Sequence, residues 1–162
     1  MKIKETYKTK EKIMNNSLTE EQVKVLNMSQ SVINEVRKVI IGKDEIIIKV
    51  LLSILAGGHI LIEDIPGVGK TTLAVALSKA LSHDYKRLQF TPDVLPTDVT
   101  GFTILNKETH KFEYKQGAAL TNLFLADEIN RTSSKTQSAL LEVMEEGKVT
   151  VDGITHKMPD PY

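Results

Sequence analysis

A glycine-rich turn followed by a lysine and two threonines has the clearest chemical meaning in this chain. Residues 59–72 read HILIEDIPGVGKTT, so an apolar run ends in a turn that contains Gly67 and Gly69. These glycines let the backbone curl until its N–H groups point inward. Lys70 adds a mobile positive charge, and Thr71 offers a hydroxyl to a metal ion. The turn therefore predicts a phosphate-binding loop for a nucleoside triphosphate with magnesium.

The predicted loop departs from the general pattern at one position. Its expected nucleotide-binding residues are Pro66, Gly67, Val68, Gly69, Lys70, Thr71 and Thr72. The pattern G-x-x-x-x-G-K-[ST] requires a further glycine where this chain has Asp64. Because Gly67 and Gly69 still supply the turn, we expect phosphate binding to be weakened at most. A tight turn that only caps a helix is the alternative interpretation.

Two adjacent carboxylates follow a second apolar run. Residues 123–126 are apolar and few enough for a buried strand, and Asp127 and Glu128 come next. We expect Asp127 to hold magnesium together with Thr71, and Glu128 to orient the water that attacks the γ-phosphate. Without the phosphate loop, a helix-capping pair would explain these carboxylates as well. Both motifs together predict triphosphate hydrolysis, with Lys70 and Glu128 as catalytic residues.

Hydrophobic periodicity predicts the elements that must position these residues. Four helices are expected: one that a capping box starts near residue 19 and that ends near residue 38, one that Asp44 caps, one after the phosphate loop, and one over residues 133–146. Strands are expected at residues 59–63, 86–90 and 123–126, and hairpins at residues 102–115 and 148–157. The predicted buried faces are Val25, Met28, Val32, Val36 and Val39; Ile47, Val50, Leu51, Ile54 and Leu55; and Leu140, Leu141, Val143 and Met144. Phe112 and Tyr114 are expected to pack on the core of their own hairpin.

Length, charge and composition limit the function classes. The 162 residues suit one domain, and 41% hydrophobic content is enough to form a core. Lys plus Arg equals Asp plus Glu at 21 each, so no overall charge favours nucleic acid, and a DNA-linked motor is disfavoured. Residues 46–56 form the longest apolar stretch, which is too short to cross a bilayer. With no cysteine and no secretory signal pattern, we expect a cytoplasmic protein.

Several longer strings resemble the MoxR family of AAA+ ATPases. They are GGHILIEDIPGVGKTTLAVALSKAL, RLQFTPDVLPTDVTGF and LFLADEINRTSSKTQSALLEVMEEGKVTVDG, together with residues 159–162. The resemblance covers about residues 32–162 and implies a P-loop NTPase αβα sandwich of AAA+ type. It also implies that residues 101–117 and 148–157 are two β-hairpin inserts. On this basis we expect an N-terminal tail at residues 1–16 and a partial AAA+ core at residues 17–162.

The same resemblance implies ligands and partners. ATP and Mg²⁺ would be the cofactors, and Ile40, Ile41 and Gly42 would border the adenine. Arg131 would face a neighbouring subunit of a homo-oligomeric ring, usually a hexamer. Family members act like chaperones on protein clients, often with von Willebrand factor A domain proteins as partners. Because the charge is balanced, we expect no nucleic-acid partner.

The family pattern continues beyond Tyr162 into a sensor 1 strand, an arginine finger and a helical lid. We therefore expect an incomplete fold, in which the sensor 1 strand would separate the strands predicted at residues 59–63 and 122–126. Weak ATP binding and little turnover are expected, because an arginine finger contributes about 10³ to 10⁵ in rate. The alternative is a non-catalytic nucleotide-binding fragment that regulates an intact relative.

Overall fold

The computed structural model describes residues 18–63, residue 67 and residues 69–162. The predicted N-terminal tail lies outside the described residues, and so do Asp64, Pro66 and Val68.

Three helices form one layer of the fold. They are α1 (Glu20–Arg37), α2 (Asp44–Leu55) and α3 (Lys70–Leu81). Thr19 caps α1 in a capping box with Gln22, which confirms the helix start predicted near residue 19. The prediction that Asp44 caps α2 was wrong, because Asp44 is the first helical residue and Lys43 occupies the cap. The Asp44 carboxylate instead accepts a 2.9 Å hydrogen bond from Arg37, which ties α2 to the end of α1.

A parallel pair of strands forms the next layer. Strand β1 (Tyr85–Gln89) pairs with β4 (Leu123–Asp127), with Tyr85 opposite Leu123 and Gln89 opposite Asp127. The predicted strand at residues 59–63 was wrong, since that segment has no strand assignment. Among the described residues β4 pairs with β1 alone, so the segment has no partner beside it. Ile60 and Leu61 are accordingly exposed.

Two hairpins and three helical segments complete the chain. The hairpins are β2 (Gly101–Asn106) with β3 (Lys111–Gln116), and β5 (Lys148–Val151) with β6 (Ile154–Lys157). Helix α4 (Pro96–Thr100) begins with proline at its first position, which the sequence analysis missed. After β4 come a 3₁₀ turn (Ile129–Arg131) and α5 (Ser134–Glu146), which Ser133 caps and Gly147 ends in a left-handed conformation.

Two apolar cores lie on opposite faces of β1 and β4. One contains α1, α2 and α3 with Leu123, and the other contains α4, α5 and β5 with Leu88, Phe124 and Ala126. This arrangement gives the three layers that the predicted αβα sandwich requires. None of the described helices is long and apolar enough to span a membrane.

Some predicted core positions are exposed. Val25 and Met28 are solvent-exposed, because the buried stripe of α1 is confined to its C-terminal half around Ile33 and Val36. Val39 is exposed because α1 ends at Arg37. Leu55, at the end of α2, is also exposed. Leu141 lies about 100° around α5 from the buried Leu140 and is exposed, and Phe112 is 77% exposed.

Candidate functional site

The direction of α3 determines which end of the sheet faces its first residue. Helix α3 ends at Leu81 and β1 begins at Tyr85, so the C-terminus of α3 lies beside the N-terminal end of the strands. Twelve helical residues span about 18 Å and five strand residues about 16 Å. Because α3 packs against both strands, its N-terminus lies level with their C-terminal ends. Lys70 and Asp127 therefore lie at the same edge of the sheet.

The turn before α3 contains two glycines, Gly67 and Gly69. Gly67 and Gly69 adopt φ values of +87° and +89°, which residues with a Cβ rarely adopt. Among the residues that the structure describes, no atom would lie within 4 Å of a Cβ added at either position. Gly69 is the N-cap of α3 and makes no side-chain hydrogen bond to the first turn. The first N–H groups of α3 can therefore donate to an anion, which the helix dipole also favours.

The C-terminal end of β4 presents the two predicted carboxylates differently. Asp127 is the last residue of the strand and its side chain is 27% exposed. Glu128 follows in a left-handed conformation, at φ 58° and ψ 40°, and is exposed. Its carbonyl oxygen accepts a 2.9 Å hydrogen bond from the Arg131 N–H and so starts the 3₁₀ turn. The backbone therefore leaves the extended strand conformation at Glu128.

An arginine on β1 contacts the Asp127 carboxylate. Arg87 Nη2 donates to Asp127 Oδ2 across 2.7 Å. Tyr85, two residues earlier on the same face of β1, has a buried hydroxyl without a hydrogen-bond partner among the described residues. Burial raises the pKa of Tyr85, the Arg87 charge opposes that rise and the Asp127 charge adds to it. Three polar groups thus lie together on the sheet face that α3 covers.

The other predicted site residues lie around this edge. Thr71 and Thr72 follow Lys70 in the first turn of α3. Ile40 is buried in the same core as Leu73 of α3. Ile41 is 86% exposed beside it. Gly42 has φ 75° in the turn between α1 and α2. Arg131 is exposed in the 3₁₀ turn after Glu128.

The donor atoms at this edge suit magnesium better than a transition metal. The described residues contain no group of three or more histidine, cysteine, aspartate or glutamate side chains that could hold a metal. Magnesium prefers oxygen ligands and is commonly held by one or two carboxylates together with substrate phosphates. Asp127 and the Thr71 hydroxyl could supply oxygen ligands of that kind. The open turn at Gly67 and Gly69 leaves room for the phosphates.

Arg87 and the left-handed backbone of Glu128 were not predicted from the sequence. Strand alternation places Tyr85, Arg87 and Gln89 on one face, but only the register with β4 brings Arg87 beside Asp127. The left-handed conformation at position 128 could not be expected from the residue type, because glutamate seldom adopts it.

Comparison with known proteins identifies the family. The model of the ATPase family associated with various cellular activities (AAA) matches residues 59–162. The chain belongs to this family. It is 56% identical over 130 residues to the uncharacterized protein YeaC of Bacillus subtilis, covering 80% of this chain and 41% of that protein. It is 41% identical over 128 residues to the chaperone MoxR1 of Mycobacterium tuberculosis, covering 79% of this chain and 34% of the relative.

A solved structure agrees with the sequence relatives. The crystal structure of a candidate ATPase from Cytophaga hutchinsonii superposes with a TM-score of 0.75 at 44% identity. The match covers 84% of this chain and 41% of that one. The expected MoxR-type AAA+ membership and the incomplete P-loop αβα fold are thereby confirmed. The chain spans less than half the length of each of these relatives.

Proposed function

We propose that this chain forms the ATP- and Mg²⁺-binding part of a MoxR-like ATPase that remodels protein partners. The observation that carries the proposal is the shared edge of the sheet. The glycine turn and the start of α3 lie at the edge where β4 ends in Asp127, followed by Glu128. Membership of an ATPase family supports a nucleoside triphosphate as the ligand. Within the proposal, residues 17–162 are a partial AAA+ core.

Each residue has a separate role in the proposed reaction. The α3 N–H groups and Lys70 bind the phosphates and neutralise their negative charge. Thr71 and Asp127 hold magnesium, whose chemistry when bound is to neutralise charge that develops on the phosphate oxygens. Glu128 orients the attacking water and accepts its proton. Ile40, Ile41 and Gly42 border the adenine, with the buried Ile40 fixed against α3.

The proposed partners follow from the family rather than from the described residues. AAA ATPases generally assemble as rings, and the exposed Arg131 is a candidate contact to a neighbouring subunit. A relative bears the name chaperone, which favours a protein client. Von Willebrand factor A domain proteins are further candidate partners. The absence of cysteine favours a cytoplasmic location.

Nucleotide binding can be tested with a charge-matched pair of variants in α3. Lys70→Ala removes the cation at the start of the helix, and Lys79→Ala removes an exposed cation in its last turn. We expect Lys70→Ala to weaken fluorescent-ATP binding about tenfold or more, since a lost charge-assisted contact costs about 1.5–3 kcal/mol. Lys79→Ala should bind like the wild type. Equal affinities for all three proteins would contradict the phosphate site.

Hydrolysis is tested separately by phosphate release. Glu128→Gln keeps the size of the side chain and removes the proton acceptor, so we expect it to bind ATP normally and to release less phosphate. Equal release by the wild type, Glu128→Gln and Lys70→Ala would contradict hydrolysis. Binding without such release would favour the alternative, a non-catalytic fragment that regulates an intact relative. Co-purification with that relative would then support the alternative.

A further inference from the structure

The Arg87–Asp127 ion pair occupies a carboxylate that the proposed function assigns to magnesium. Arg87 Nη2 and Asp127 Oδ2 are 2.7 Å apart, a distance typical of a charge-assisted hydrogen bond. The two residues are 40 positions apart in the chain. They meet because Arg87 lies opposite Leu125, one same-face position before the pair of Gln89 and Asp127. The strand register therefore aims the guanidinium at the carboxylate.

We propose that Arg87 is a placeholder cation that competes with magnesium for Asp127, so that the metal enters together with the nucleotide. The proposal rests on the function proposed above, because it takes Asp127 to be a magnesium ligand. A guanidinium and a magnesium ion at one carboxylate repel each other, so each lowers the affinity of the other.

The two cations differ in a way that explains the order of entry. Magnesium sheds its water reluctantly and needs several oxygen ligands. Alone it competes poorly with a direct ion pair, whereas nucleotide phosphates supply the further oxygens that it needs. Guanidinium is weakly hydrated. The Arg87 side chain is 41% exposed, so the guanidinium has access to solvent and can move away from Asp127.

A purely structural role for Arg87 is the competing explanation. A partly exposed ion pair contributes little to stability, and its loss would leave the magnesium requirement of the site unchanged. The magnesium requirement for nucleotide binding therefore separates the two roles.

The experiment measures binding of a fluorescent ATP analogue while magnesium is titrated. Arg87→Met and Arg87→Gln both remove the charge, and Arg87→Lys keeps it. Lys148→Met is the matched control, because Lys148 is paired with Glu146 at 3.1 Å at the α5–β5 junction. We expect both neutral variants to lower the half-saturating magnesium concentration about fivefold or more, the usual lower size of a coupling between two ligands. Arg87→Lys and Lys148→Met should resemble the wild type.

A second readout uses metal without nucleotide. Electron paramagnetic resonance of Mn²⁺ should show more bound metal for the neutral variants than for the wild type at equal concentration. An unchanged or raised magnesium requirement in the neutral variants would overturn the placeholder role, while wild-type nucleotide binding would leave the proposed function standing. If the wild type bound no nucleotide with or without magnesium, the proposed function would fail and this inference with it. Arg87→Gln provides the same test if Arg87→Met does not fold.

Discussion

The phenol ring of Tyr114 stacks on the imidazole of His156, with ring centroids 3.7 Å apart and planes at 15°. Tyr114 lies on β3 and His156 on β6, so the contact joins the two hairpins that the sequence presented as separate inserts. The Tyr114 hydroxyl also donates to the Thr100 carbonyl oxygen at the end of α4. Tyr114 therefore connects one hairpin both to the other and to the helix before it.

A double-mutant cycle on Tyr114→Leu and His156→Leu should reveal this connection as a coupling energy. We expect about 0.5–1.5 kcal/mol in the free energy of unfolding, the usual value for an aromatic pair beyond the area that it buries. Urea denaturation of the four proteins measures it. The matched cycle uses Phe112→Leu, two residues away on the same face of β3 and 77% exposed. Phe112 should show no coupling to His156, and equal values in the two cycles would contradict a specific stack.

Gly117 lies where the backbone after β3 passes close to α4. A Cβ at this position would overlap the Val99 carbonyl oxygen and the Gly101 nitrogen, both of which are backbone atoms and cannot rotate away. We expect Gly117→Ala to lower the free energy of unfolding by about 1–3 kcal/mol, the usual cost of overpacking. Gly58→Ala is the control, because its Cβ would lie 3.5 Å from the nearest atom, the Ser53 carbonyl oxygen. Urea denaturation should show Gly58→Ala within about 1 kcal/mol of the wild type, or slightly more stable. Equal losses in both variants would argue against the overlap.

Local sequence signals predicted the elements that carry their own information. The hairpin predicted at residues 148–157 was confirmed as β5 and β6, because the Asp152 and Gly153 turn and the flanking alternation agree. Thr19, Ser133 and Gly147 likewise fixed helix ends through local hydrogen bonds or backbone conformation. Such features need no distant partner to form.

Features that depend on distant partners could not be predicted in the same way. Residues 59–63 have the composition of a strand, but a strand also needs a neighbour, and no strand among the described residues pairs with this segment. The alternation of side chains along β3 predicted that Phe112 packs in the same way as Tyr114. Of these two aromatic residues, it is Tyr114 that stacks on another ring, that of His156. The contact of Arg87 with Asp127 depends on the register of two strands that are far apart in the sequence. Membership of the ATPase family was confirmed, whereas several positions predicted to be buried are exposed.

The left-handed backbone of Glu128 leads to a final prediction, about stability rather than catalysis. A residue with a Cβ pays about 1–2 kcal/mol in this conformation, and glycine does not. We therefore expect Glu128→Gly to be more stable than Glu128→Ala by about 1 kcal/mol, although both remove the carboxylate that the proposed hydrolysis needs.

The same two substitutions at Glu142 supply the control, because Glu142 is exposed in the interior of α5. In a helix alanine is better than glycine by about 1 kcal/mol, so the order of stability should reverse. Thermal and urea unfolding of the four variants measure both differences. Each pair differs by the same Ala-to-Gly change, so the effect of that change on the unfolded state is the same at both positions. If alanine were the more stable residue at both positions, Glu128 would not hold a left-handed conformation in solution. A reversal would show that the proposed water-orienting residue is held at a cost in backbone energy, as strained residues at functional sites often are.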